Sequence, residues 1–347
     1  MRVTIKDIAR ETNLSPTTVS LVLNNKPHRL AEETRKRVWE TAKRMNYRPN
    51  SMAASLKTRK TKTVGMVVSD FANAYFGELA KGAEAKCAEE GYALILCNTT
   101  NKSKTNINYI NILIDRGVDG IILSFGGTEP GEIGRLTDHI VSFGIPVIMI
   151  DCMSSADMTN SVILDNLLGG YIATCHLLEQ GHTRIGCITG PIQADDDLGA
   201  SNQRYLGYCQ ALREYQIPIN KAYVKNGEFT IESGVKNAPE LVAEGVTGIV
   251  AANDLCAYGI YKWARDHQIV IPDDLSVVGY DDIVYSDFFS PRLTTVRQPA
   301  YDMGYEAARK LIGGGTEEPA GQDTVFKPEL VVRGSTAHSC GKGPWKR

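Results

Sequence analysis

Apolar residues at the start of the chain repeat at the spacing of amphipathic helices. One stripe begins at Ile5 and runs to about Thr12, which predicts a short helix. After a break, a second stripe follows Ser15-Pro16, where serine supplies a capping oxygen and proline fits the first helical position. Residues 4–25 therefore predict a helix-turn-helix.

The outward face of the second helix is small and mostly polar, whereas its inner face is apolar. Such a face lets a helix lie in a major groove and meet base edges or phosphates. Two ordinary amphipathic helices would explain the same spacing, but DNA binding is the favoured interpretation. The outward residues are Thr17, Thr18, Ser20, Leu21 and Asn24.

A third apolar stripe predicts a helix from about residue 31 to 45, which completes an all-α headpiece at 1–47. Residues 48–60 follow as a hinge. Within it, 50–57 could form about two helical turns, a length that is marginal in water. A plain linker is the alternative for the free protein.

From Thr63 onward, apolar strands alternate with amphipathic helices in two successive cycles. This pattern is typical of parallel sheets covered by helices on both faces. We predict an α/β core, 61–340, made of two doubly wound parallel-sheet subdomains. The first would hold 61–162 and 292–325, and the second 163–291 and 326–340. The Gly/Lys-rich tail after Ser335 is expected to lack structure.

Charge is distributed unevenly along the 347 residues, although the net charge is only −2. Residues 1–62 carry 15 Lys/Arg and 5 Asp/Glu, so a basic module precedes an acidic body. This asymmetry is typical of a nucleic-acid binder with a separate sensing domain. Eight isolated cysteines predict buried reduced thiols, and no signal peptide or membrane span is evident. We expect a cytoplasmic protein.

Motifs of catalysis are absent from the sequence. It contains no phosphate-binding loop, no nucleophile elbow and no zinc-binding HExxH. The acidic run 195–197 lacks the spaced ligands of a calcium loop and is read as a solvated loop. His182, in a helix-to-strand turn, is read as structural. We therefore expect no enzyme, no metal and no cofactor.

Polar and aromatic side chains collect at the predicted strand ends. A single strand-end Asp or Asn commonly caps the next helix, and that alternative stays open for each. In doubly wound folds, however, ligands bind at the carboxyl edge of the sheet. Acids, amides, aromatics and one Arg suit a polyhydroxylated ligand. The candidates are Asp70, Asn73, Tyr75, Phe76, Asp151, Arg204, Phe229, Asn253 and Asp281.

Several motifs in fixed order resemble the lac repressor family. They include IKDIAR, SPTTVSLVLNN, NYRPN, RGVDGIIL, GHTRIGCITG, AANDLCAYG, IPDDLSVVGYDD and LTTVRQP, and they cover nearly the whole chain. The resemblance implies a homodimeric repressor that binds palindromic operator DNA, with a core like periplasmic binding proteins. It implies DNA contacts at Thr4, Ser15, Pro16, Thr17, Thr18, Ser20, Leu21, Asn24, Tyr47, Asn50, Ala53, Leu56 and Lys57.

The resemblance also gives the hinge a role. In this family the hinge helix forms on the operator and enters the minor groove, so Leu56 is expected to be the wedge that opens a central base step. Leu56 packing on the core is the alternative. The tail has no heptad pattern, which favours a dimer over a tetramer. The helix at 75–89 and the segment near Gly117 are candidate dimer surfaces.

The resemblance implies a small effector at the strand-end candidates. Purine-responsive members of the family look close, because Tyr75, Phe76 and Phe229 resemble the aromatics that surround their base. Those members carry a base-reading Arg between Pro191 and Arg204, where this chain reads IQADDDLGASNQ. A sugar-like effector is therefore favoured. The alternatives are a purine-responsive corepressed regulator, a solute-binding protein and an enzyme on the same lobes.

Overall fold

The computed structural model describes residues 3–24, 30–47, 60–99, 103–125, 130–151, 161–192, 199–313 and 323–339. The chain divides into two units, residues 1–61 and 62–347. The predicted hinge falls almost entirely on residues 48–59, outside the described residues.

The described residues of the first unit form three helices, as the apolar stripes predict. They are α1 (Ile5–Thr12), α2 (Pro16–Leu23) and α3 (Glu32–Arg44). Their inner faces meet around Ile8, Val19 and Val38, none of which is exposed to solvent. α3 starts after Ala31, which provides no side-chain cap.

The second unit opens with a four-stranded parallel sheet covered by helices, which we call the first lobe. Its strands lie in the order β2-β1-β3-β4. They are β1 (Thr63–Val68), β2 (Ala93–Asn98), β3 (Gly120–Ser124) and β4 (Val147–Met149). The helices that follow the first three strands are α4 (Ala74–Glu89), α5 (Ser103–Asp115) and α6 (Pro130–Ser142).

A second sheet of six strands forms the second lobe. In chain order its elements are α7 (Asn166–Glu179), β6 (Ile185–Thr189), α8 (Ala200–Glu214), β7 (Val224–Asn226), α9 (Ile231–Ala243), β8 (Gly248–Val250), α10 (Asp254–Asp266), β9 (Ser276–Asp281), β10 (Thr294–Arg297) and β12 (Glu329–Val331). The strand order is β12-β10-β9-β8-β6-β7. Every neighbouring pair is parallel except β10 and β12, so the sheet has one antiparallel edge.

Two short strands, β5 at residues 162–164 and β10, do not follow the predicted subdomain boundaries. β5 (Val162–Leu164) pairs with β11 (Thr324–Phe326), and Val162 bridges to Ile150, so β5 extends the first sheet. β10, predicted in the first subdomain, pairs with β9 and β12 in the second sheet. The chain returns to the first lobe only after Arg297, through α11 (Ala300–Gly313), which packs on α4. An apolar run in the sequence predicts that a strand forms, but it does not show which other strand will pair with it.

Three helix pairs approach each other so closely that only glycine fits at the contact. A side chain on any of these glycines would overlap backbone of the facing helix, and in the second and third pairs a glycine on one helix contacts a glycine on the other. The pairs are α4 with α11 at Gly82 and Gly304, α7 with α8 at Gly170 and Gly207, and α9 with α10 at Gly234 and Gly259.

The start of the tail is ordered, contrary to the prediction. Thr336 contacts the His176 ring at 2.8 Å, and the carbonyl of Ala337 lies 3.0 Å from a ring nitrogen of His182. The second His182 nitrogen lies 2.8 Å from the Thr247 hydroxyl, so His182 has the structural role expected of it. Within the described part of the chain, no helix combines the length and apolar character that a membrane crossing needs.

Candidate functional site

The outward face of α2 presents its polar side chains to solvent. Pro16 and Thr17 are exposed at its start. The Ser15 hydroxyl accepts a hydrogen bond from the Thr18 N–H at 3.0 Å, which is the cap expected from the sequence. Leu21 is half-buried and lies outside the apolar cluster that joins the three helices. Its side chain therefore belongs to the outward face.

Some of the candidate DNA-binding groups already have partners within the headpiece. Asn24 donates from its amide to the Ser20 carbonyl at 2.6 Å. The Thr4 hydroxyl donates to the Asp7 carboxylate at 2.7 Å, and this bond lowers the pKa of Asp7. Tyr47 is half-buried against the headpiece core. The remaining candidates, Asn50, Ala53, Leu56 and Lys57, lie outside the described residues.

Three of the candidate effector residues of the second unit, Asn73, Arg204 and Asn253, act on Asp281, at the carboxyl end of β9. Asn73 of the first lobe donates to Asp281 Oδ2 at 3.3 Å. Asn73 also caps α4 by accepting from the Tyr75 N–H, and Asn253 caps α10 by accepting from the Cys256 N–H. Capping and membership of the site are therefore compatible at both asparagines.

Arg204 is held in place by three neighbours that the sequence did not identify. Its Nε donates to Asn166 Oδ1 at 2.9 Å, and its Nη1 donates to the Ala252 carbonyl at 2.9 Å. The guanidinium carbon lies 3.7 Å from the centre of the Tyr280 ring, which is a cation–π contact. Phe229 is more distant, at 5.7 Å. The guanidinium is thus oriented before any ligand arrives.

Asp281 is a buried carboxylate held from two directions. Gln298 donates to its Oδ1 at 2.6 Å, opposite the bond from Asn73. Burial raises the pKa of Asp281 to about 6, although the charge of Arg204 and the surrounding hydrogen bonds oppose the shift. Its backbone φ of 118° is unusual for a residue with a side chain, and such strain is typical of functional sites.

Asp254 lies behind Asp281 and is completely buried. Its Oδ2 accepts hydrogen bonds from the Ile283 N–H at 2.9 Å and from the Ser286 hydroxyl at 2.6 Å. Burial, together with the neighbouring charge of Asp281, raises the pKa of Asp254 to about 8. This carboxyl joins α10 to the segment after β9 and supports the site from behind.

Asp151 contributes a second acid from the first lobe. Its Oδ1 accepts from the Leu164 N–H at 2.7 Å, and its φ is 51°. Burial raises the pKa of Asp151 to about 6, while the hydrogen bond from Leu164 and the charge of Arg204 oppose the shift. The carboxyl groups of Asp151 and Asp281 come from different lobes, and the positive charge of Arg204 lowers the pKa of each.

The aromatic candidates lie on both lobes. Tyr75 and Phe76 are buried and meet edge to face, with ring centres 5.2 Å apart. In the second lobe, the Phe229 carbonyl accepts from Asn253 at 3.3 Å. Asp70 is exposed, and its Oδ1 accepts from the Ala72 N–H in a local turn.

Three residues that adjoin these candidates were not named from the sequence: Asn166, Tyr280 and Gln298. Tyr280 is beside the candidate Asp281, and Asn166 and Gln298 follow the ends of β5 and β10 by two residues and by one. Gln298 could not be assigned to the site from the sequence, because its position depends on which sheet β10 joins. Across the described ranges, no group of three His, Cys, Asp or Glu side chains is arranged to hold a metal ion.

Comparison with known proteins agrees with both units. Residues 4–50 match the model of bacterial regulatory proteins of the lacI family, and 174–336 match a periplasmic binding protein-like domain. The chain is 36% identical to the HTH-type transcriptional regulator DegA of Bacillus subtilis, over 97% of this chain and 99% of DegA. The chain belongs to the lac repressor family.

A curated repressor and a solved ligand complex are also similar to this chain. The transcriptional repressor PurR of Aliivibrio salmonicida is 33% identical over 96% of this chain and 98% of its own length. A solved complex of the regulator CelR with cellobiose superposes with a TM-score of 0.71 at 30% identity, covering 96% of this chain and all of CelR. The protein is therefore a DNA-binding transcriptional regulator with an effector-binding domain, and its relatives include the repressor PurR and a regulator solved with cellobiose.

Proposed function

We propose that this regulator is a homodimeric repressor that releases a palindromic operator when a sugar-like effector binds between its two lobes. The observation that carries the proposal is the buried Asp281, held by Asn73 of the first lobe and close to Arg204 of the second. A ligand that engages both lobes favours the arrangement that brings them together, and only such differential affinity shifts the equilibrium.

The chemistry of the site favours a polyhydroxylated ligand over a purine. Asp151 and Asp281 offer acceptors, Arg204 offers donors, and Phe229 provides an apolar surface, a combination that suits hydroxyl groups on a ring. Between Pro191 and Arg204 the chain has no arginine with which to read a base. The cellobiose complex of CelR supports a sugar, whereas the similarity to PurR keeps a corepressed, purine-responsive regulator as the alternative.

On DNA, we assign the major-groove contacts to the exposed face of α2. Thr17 and Asn24 would be the polar readers, with Thr4, Ser20 and Tyr47 on phosphates. To bind a phosphate, Thr4 must redirect its hydroxyl from Asp7. The other proposed contacts are Ser15, Pro16, Thr18 and Leu21 in the headpiece and Asn50, Ala53, Leu56 and Lys57 in the hinge.

Dimerisation is supported by an exposed apolar patch on the second lobe. Val284, Tyr285 and Phe288 follow β9, and Phe288 is 79% exposed. A second copy of the chain would bury these side chains and set the two headpieces at the spacing of a two-fold operator. Of the two surfaces named from the sequence, 75–89 is α4, one face of which is packed against α11.

The test begins with a thermal-shift screen of sugars and nucleosides, because a ligand that binds the folded state raises its apparent stability. Operator binding is then titrated with the stabilising compound in wild type, Arg204→Ala and Asp281→Ala. We expect the ligand to weaken operator binding in wild type, by about 5- to 150-fold, and neither variant to respond. Arg213→Ala, an exposed arginine on the same helix, is the control.

Two outcomes would count against the proposal in different ways. If both variants respond like wild type, the pocket is wrong. If the ligand strengthens operator binding in wild type, corepression replaces induction while the pocket stands.

A further inference from the structure

The last described residue of the chain lies at the end of α7. The Ser339 N–H donates to the carbonyl of Gln180, the residue that ends α7, at 2.9 Å. Residues 340–347 follow and lie outside the described residues. The surface around Gln180 is therefore the first one that this segment meets.

α7 and α8 run side by side in the same direction, so both helices end at this surface. Near their starts, Arg204 of α8 donates to Asn166 of α7 at 2.9 Å. Further along, the Tyr171 hydroxyl of α7 donates to Glu214, the last residue of α8, at 2.7 Å. The carbonyls at a helix end carry partial negative charge, so the shared end of two helices favours cations.

Two tyrosines and two glutamates form this surface, which we call the α7–α8 end: Tyr171, Glu179, Glu214 and Tyr215. Tyr215 is 44% exposed, and both glutamates are exposed. Partial burial raises the pKa of Tyr215, and the charges of Glu179 and Glu214 add to the shift, so both carboxylates lie near its hydroxyl. Among the residues that the structure describes, neither glutamate forms an ion pair with a lysine or an arginine.

The segment 340–347, CGKGPWKR, carries the complementary groups. It contains three cationic side chains and one aromatic side chain, Trp345, and it contains no acid. An extended chain spans at most about 20 Å from Ser339 to Trp345, which is about the length of α7 itself. Gly341 and Gly343-Pro344 suit a chain that turns back on itself. The segment is therefore long enough, and of the right charge, to cover the α7–α8 end.

We propose that residues 340–347 fold back onto the α7–α8 end of the same chain. Trp345 packs on Tyr215, and the cations at positions 346 and 347 pair with the two glutamates. Exposed ion pairs are individually weak, so the aromatic contact anchors the segment and the charges orient it. This surface lies at the opposite ends of α7 and α8 from Asn166 and Arg204, so the inference does not depend on the proposed effector site.

The experiment follows Trp345 in the full chain by fluorine NMR. Fluorine-labelled tryptophan gives one signal for each of the three tryptophans, and Trp345→Phe assigns the signal of the segment. The width of that signal, and its broadening by a soluble gadolinium chelate, measure the ratio of docked to free Trp345. Trp263 is buried, so its signal reports in every sample that the core is folded.

The α7–α8 end is changed in two ways. Glu179→Lys/Glu214→Lys reverses its charge, and Tyr215→Ala removes its exposed ring. We expect each variant to lower the ratio of docked to free Trp345 about ten-fold. Glu244→Lys is the matched control, because Glu244 is an exposed glutamate at the end of α9, and it should change the ratio by less than about two-fold.

A charge swap separates specific pairing from general loosening. Reversing both cations of the segment with Lys346→Glu/Arg347→Glu should release Trp345 from the wild-type surface. Adding Glu179→Lys/Glu214→Lys should restore docking, because opposite charges face each other again. A surface that affects the segment only by loosening the helix ends would give no such restoration.

The opposite results would overturn the proposal. If Trp345 is free in wild type, if charge reversal leaves its signal unchanged, or if the swap fails to restore docking, the segment does not bind the α7–α8 end as proposed. The labelled Glu179→Lys/Glu214→Lys protein is also mixed with an excess of unlabelled Trp345→Ala protein, whose α7–α8 end is vacant. If the labelled Trp345 then docks, the segment binds a second copy and the same-chain arrangement is wrong.

Discussion

The headpiece and the core use polar side chains in opposite ways. On the headpiece, the candidate residues Pro16 and Thr17 are exposed at the start of α2, so they face solvent and contribute little to the stability of the fold. In the core, Asp254 and Asp281 are buried and depend on partners for stability. On the proposed DNA-binding surface, the residues assigned to function contribute little to stability. In the proposed effector site, the same residues serve both stability and function.

The largest expected effect is on stability, from the acid behind the pocket. Asp254→Ala should lower the free energy of unfolding of the core by about 2–4 kcal/mol, because it leaves the Ile283 N–H and the hydroxyls of Ser286 and Thr295 without their acceptor. Urea unfolding followed by circular dichroism measures the loss. Asp254→Asn keeps one acceptor and should cost less. A change below about 0.5 kcal/mol in the alanine variant would remove the contrast between the regions.

A second effect distinguishes the regions by the sign of their pH dependence. The raised pKa of Asp281 means that the folded core holds this proton more strongly than the unfolded chain. The resulting stability is present below about pH 4 and is lost as pH rises through about 6. For Asp7 in the headpiece the pKa is lowered, so its contribution is present above about pH 4 and is lost as pH falls further.

For the core, the free energy of unfolding can be measured by urea unfolding at several pH values between 4.5 and 6.5, which gives the sign of its pH dependence. Asp281→Asn should flatten the slope with pH relative to wild type, on the order of 1–3 kcal/mol over the window. Asp138→Asn, at an exposed position of the first lobe, serves as the control. An unchanged slope in Asp281→Asn would mean that this carboxyl does not control the pH dependence.

The smallest effects are expected on the headpiece. Ser15→Ala should cost about 1 kcal/mol of headpiece stability, because the Thr18 N–H loses its cap. Thr17→Ala should change stability by less than about 0.5 kcal/mol yet weaken operator binding. Melting of headpiece amide signals by NMR and operator titration provide the two readouts. If Thr17→Ala destabilised the headpiece as much as Ser15→Ala, the exposure of a residue on α2 would not show that it can be substituted without loss of stability.

The sequence predicted local features better than distant ones. The helix-turn-helix was predictable because Ser15, Pro16 and the apolar stripe are neighbours along the chain, and the strand-end acids were predictable because each follows an apolar run. Gln298 was missed because its contact with Asp281 exists only when β10 joins β9. The same lack of partner information placed β10 in the wrong subdomain. Periodicity along a chain does not encode which strand will be the neighbour.

The glycine contacts of the three helix pairs limit how this protein can change. A side chain at Gly82, Gly170 or Gly234 would collide with backbone of the facing helix, so these positions offer almost no mutational freedom. The side chains of the proposed effector residues take no part in these contacts, although exchanging a buried one such as Asp281 also changes the stability of the core. A library designed to redirect the regulator to a new inducer should therefore vary the pocket and keep the glycines. Much of the diversity of a fully random library would be lost at those contacts before any ligand could be tested.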